Sequence, residues 1–178
     1  MSDELTRRQA IALGAAATGA VSIETEALAA QSAPATFFTG PELALADELA
    51  EMIIPADEHA PGARAAKVAA YIDARLAEAF DAADRTTWRD GLKLIELLSR
   101  QVNGKPFLDL TAAQRLALLE RIAANEGKPE RPEEHFFKEL KSRVVDAYYT
   151  SEIGIKQELE YRGNTHQADF SGVDVSKE

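Results

Sequence analysis

A chain of 178 residues without one cysteine is long enough for a single domain with a real core, and nothing in it can be stapled by a disulfide. The missing thiols also exclude thiolate zinc, iron–sulfur clusters and covalently attached c-type haem within the chain. A formal net charge of −10 opposes binding to phosphate backbones and anionic membranes, while 46% hydrophobic and 28% charged residues are a globular composition.

Residues 1–29 read as a twin-arginine export leader. Thr6-Arg7-Arg8-Gln9 precedes a weakly apolar, Ala- and Gly-rich run from Ala10 to Val21, and Ala27-Leu28-Ala29 offers the small residues of a cleavage site. The uncharged stretch from Ala10 to Ile23 is too short for a stable anchor across roughly 30 Å of hydrocarbon. Ala10 stands where a large apolar residue is usual, and Glu24 and Glu26 add negative charge before the cleavage site. The alternative is an Ala-rich amphipathic helix kept on the protein. As a leader, the segment engages the twin-arginine translocase through Arg7 and Arg8 and sends the folded chain to the periplasm. Residues 30–40 form a linker, whose Phe37-Phe38 end is expected to dock on the domain.

Helical periodicity carries the domain, residues 41–164. Pro41 suits the opening of a first helix, Leu45, Leu49, Met52 and Ile53 share one face, and Pro55 ends it. The loop Pro55–Gly62 has its path set by Pro55, Pro61 and Gly62. A second helix is expected from Ala63 to Phe80 with Val68, Ile72, Leu76 and Phe80 inward. Asp84 is expected to cap a third, carrying Trp88, Leu92, Ile95, Leu98 and Val102, which stops at Asn103-Gly104. Thr111-x-x-Gln114 is a capping box for a fourth with Leu116, Leu119 and Ile122. Pro132 with Glu133 and Glu134 suits the start of a fifth, whose face is Phe136, Leu140, Val144 and Tyr148. No alternating β-branched segment occurs, so the expected fold is all-α, a single-domain bundle of five or six helices. Beyond Tyr148 the stretch to Asn164 is aromatic and polar without a helical stripe, and residues 165–178 form a polar tail.

The sequence carries no constellation for catalysis. His59, His135 and His166 lie on separate segments without HExxH spacing, and Asp57-Glu58 beside His59 reads as solvated or capping carboxylates. No GxSxG, phosphate loop or dinucleotide fingerprint occurs, so neither catalytic, cofactor-binding nor metal residues are assigned. Tyr148, Tyr149 and Tyr161 admit two readings. They close the end of the bundle, or they form a partner surface with Pro55, Pro61, Gly62, Gly154 and Gly163; the second is favoured because helical periodicity does not account for the segment.

Three stretches together resemble the gluconate 2-dehydrogenase subunit 3 family. They are the twin-arginine leader, then Met52-Ile53-Ile54-Pro55-Ala56-Asp57-Glu58 through Pro61-Gly62-Ala63 to Val68-Ala69-Ala70-Tyr71-Ile72-Asp73, and finally Tyr148–Gly154 with Glu158-Leu159 and Tyr161-Arg162-Gly163-Asn164. The resemblance implies a small subunit without catalytic residues, bound to a large flavoprotein of the glucose-methanol-choline oxidoreductase class. It implies that FAD and the catalytic base reside in that partner, that a cytochrome c often accepts the electrons, and that the small subunit serves export and maturation. The competing expectation is a stand-alone exported helical enzyme or ligand-binding protein, which requires a pocket with convergent polar groups.

Overall fold

The computed structural model describes residues 36–163. The expected leader with Arg7 and Arg8, the linker up to Ala35, and residues 164–178 with His166 lie outside the described residues.

Among the described residues five α-helices follow one another: α1 (Gly40–Ile53), α2 (Val68–Glu78), α3 (Ala82–Asn103), α4 (Ala112–Ala123) and α5 (Pro132–Tyr149). A 3-10 turn, Phe107–Asp109, precedes α4, and a π-helical turn, Gly154–Glu158, follows α5. No β-strand occurs among the described residues. The described domain is therefore all-α, as periodicity predicts.

Local chemistry accounts for the helix starts. Thr39 and Glu42 form a reciprocal capping box for α1, Thr111 and Gln114 another for α4. Asp81 caps α3 by accepting from Ala83 N at 2.8 Å. The cap thus lies three residues before the expected Asp84, which sits in the first turn instead. α5 opens on Pro132, and the wholly buried Glu134 accepts from the Glu130 and Arg131 amides, Arg131 Nε and Asn125 Nδ2. Those amide donors, Glu130 first and then Arg131, pull its carboxyl down to about 2.

α5 is the central element, touching each of α1 to α4. Its stripe Phe136, Leu140, Val144 and Tyr148 is buried as expected, and each fully buried aliphatic side chain contributes roughly 1.5–3 kcal/mol. Trp88 packs edge-on against Phe136 and lies 5.8 Å from Phe38. The Phe136 ring occupies the space a side chain at Gly91 would take, so α3 and α5 approach closely there. Phe38 is buried, and Asp73 Oδ1 fixes the incoming chain by accepting from Phe37 N at 2.8 Å and Phe38 N at 2.6 Å. Arg89 completes the clamp, stacking on the Phe37 ring and donating to Phe37 O.

Three expectations are corrected. α2 begins at Val68 rather than Ala63, because Lys67 is left-handed at φ 56° and residues 63–67 form successive turns. Phe80 is not on its inner face. The helix has ended at Glu78, and the ring is fully exposed. Val102 and Leu116 also project outward, 48% and 50% exposed, since each falls off its helix's buried stripe.

Candidate partner interface

The loop from Ile54 to Ala63 is tightly determined. Its two ends are joined by Ala63 N donating to Ile54 O at 2.9 Å, and Asp57 N donates to Ala60 O. Asp57 Oδ1 in turn accepts from the Ala60 and His59 amides, both at 2.8 Å. These two donors, Ala60 first, hold the Asp57 carboxyl below the usual carboxylate range. The Asp57-Glu58-His59 run is thus turn chemistry with exposed side chains.

Glu51, near the end of α1, reaches under this loop and accepts from Ala56 N at 3.4 Å and Arg64 N at 2.7 Å. A Cβ at Gly62 would lie 2.5 Å from Ala56 N and 2.6 Å from the Glu51 carboxylate, so only glycine lets the loop close over it. Arg64 then pairs with Asp47 and Glu48 on α1, and Arg115 of α4 shares Glu48. These partly exposed pairs add little stability singly, but they tie the far end of the loop to α1, which Arg115 in turn links to α4.

The second segment closes against the first. Tyr148 is 1% exposed and its hydroxyl donates to Pro61 O at 2.6 Å. Burial raises the Tyr148 pKa, with the Glu158 charge second. The chain then turns back beneath α5. Ser151 Oγ donates to Tyr148 O, Gly154 N donates to Ser151 Oγ, and Leu159 N reaches Gly154 O across a π-turn. A Cβ at Gly154 would collide with the Tyr148 carbonyl, which is why glycine stands there. His59 Nε2 donates to Glu158 O at 3.3 Å, because a carbonyl can only accept. Tyr149 OH donates to the Glu158 carboxylate at 3.4 Å, and its ring meets Tyr148 edge-on.

The two segments singled out in the sequence therefore form one surface, although 87 residues separate Pro61 from Tyr148. Tyr149 is 37% exposed, Tyr161 53%, Leu159 57%, and Pro55 is exposed as well. Other candidates fall differently. Tyr148 is a core residue whose ring offers no outer contact area, so its expected role as an exposed contact is corrected; it supports the surface from below. Gly62 and Gly154 are buried, and the close approaches they permit are internal. Gly163 has open space around it and serves through its left-handed φ of 91°. Pro61 is half-buried, its carbonyl engaged by Tyr148. Reading the sequence misses Glu51 and Glu158, which organise the loop and the π-turn.

No group of three or more His, Asp or Glu side chains arranged to hold a metal occurs among the described residues. No helix among them is long and apolar enough to cross a membrane. No curated protein and no solved structure matches the chain significantly. A family profile described as gluconate 2-dehydrogenase subunit 3 matches residues 41–165, more than two thirds of the sequence, and the match takes in both interface segments. On this match the chain belongs to the gluconate 2-dehydrogenase subunit 3 family, a subunit family of multi-subunit dehydrogenases.

Proposed function

We propose that this chain is the non-catalytic small subunit of an exported, FAD-dependent sugar, polyol or gluconate dehydrogenase. Its partner is a large flavoprotein of the glucose-methanol-choline class, which holds the FAD and performs the oxidation. A cytochrome c in the same complex takes the electrons. The chain supplies the twin-arginine leader, accompanies the loaded flavoprotein into the periplasm and stabilises it there.

The observation that carries this reading is the composite surface in a chain of a dehydrogenase-subunit family. Two distant segments, each built around obligatory glycines, converge and hold Tyr149, Tyr161 and Leu159 outward on a fixed frame. Ordered aromatic contact area of this kind lowers the entropy lost on association. Export of a folded complex requires an interface that persists through transit.

Co-expression with a flavoprotein of the glucose-methanol-choline class, sought first in the neighbouring reading frames, tests the reading. A tag on this chain should retain the flavoprotein, and Tyr149→Ala with Tyr161→Ala should weaken that retention while the isolated subunit still folds, its melting temperature falling only by what loss of the Tyr149 ring contact with Tyr148 explains. The isolated chain should be colourless; a flavin absorption band on it contradicts the assignment of FAD to the partner. Arg7→Lys with Arg8→Lys should leave both subunits in the cytoplasm, because lysine lacks the guanidinium fork. Normal periplasmic activity in that double variant would refute the export role.

A further inference from the structure

We draw no further inference here: the strongest candidate, the cleft between α2 and α5 with Phe80 on its rim and Trp88 in its wall, carries nothing, because the unpartnered Trp88 Nε1 is buried away from anything that enters the cleft and nothing in the structure shows what covers the exposed ring.

Discussion

Tyr148→Phe isolates the bond that joins the two interface segments. The substitution keeps the buried ring and removes only the hydroxyl that donates to Pro61 O at 2.6 Å. A typical hydrogen bond contributes about 1 kcal/mol net, and a carbonyl left without its donor adds a desolvation penalty of about 1–3 kcal/mol. Pro61 is half-buried, so water can compensate part of that penalty. The expected loss is therefore about 1.5 kcal/mol. A domain of this size moves about 4 °C per kcal/mol, which predicts a fall of about 6 °C in the helical melting curve followed by circular dichroism. Tyr149→Phe is the matched control, because its 3.4 Å bond to Glu158 is long and exposed; it should move the midpoint by less than about 2 °C. Amide exchange at Ala63, which closes the loop onto Ile54, should accelerate in Tyr148→Phe alone. If the two variants melt together at the wild-type temperature, the hydroxyl does not fasten the loop, and the composite surface has another cause.

Three further outcomes follow from buried partners and close approaches. Glu134 has a folded pKa of about 2, below its ordinary value of 4.5, so its contribution is complete above about pH 4.5 and fades as the pH falls toward 2; urea midpoints between pH 6 and 3 should drop more steeply for wild type than for Glu134→Gln, and parallel curves would exclude this role. Gly154→Ala sets a methyl group on the Tyr148 carbonyl and should destabilise by about 2 kcal/mol or more in denaturant unfolding, whereas Gly127→Ala, with nothing within 4 Å, should be near neutral. Asp73→Ala strips the acceptor from the Phe37 and Phe38 amides and should lose about 3 kcal/mol, while Asp73→Asn, which keeps a carbonyl oxygen, should lose distinctly less; equal losses in the two would argue against an acceptor role.

The helices and most of their starts were legible because their causes are local. Pro41 at the opening of α1, the capping box at Thr111, Pro132 with its acidic first turn, and the Phe136–Tyr148 stripe each depend on residues within one or two turns, whereas the Thr39–Glu42 box at the start of α1 went unread. The misreadings lie at element ends. Phe80 continues the apolar period of α2 in sequence, yet the helix stops at Glu78 and the ring turns outward. Asp84 and Asp81 are equally good caps by residue type, and the turn from α2 decides for Asp81. The candidate site was legible as two unusual segments. Their tyrosines were indistinguishable by type, and burial separated Tyr148 from Tyr149 and Tyr161.

What the sequence determined by itself was the all-α class, the order of the five helices with their approximate places, and the two segments that depart from helical periodicity, since these follow from spacing and from the conformational limits of Pro and Gly. Only the tertiary structure decided that the two segments meet, through Tyr148 on Pro61 and His59 on Glu158. It also decided which aromatic rings face out, because burial depends on what the rest of the chain brings alongside, and no local pattern records that.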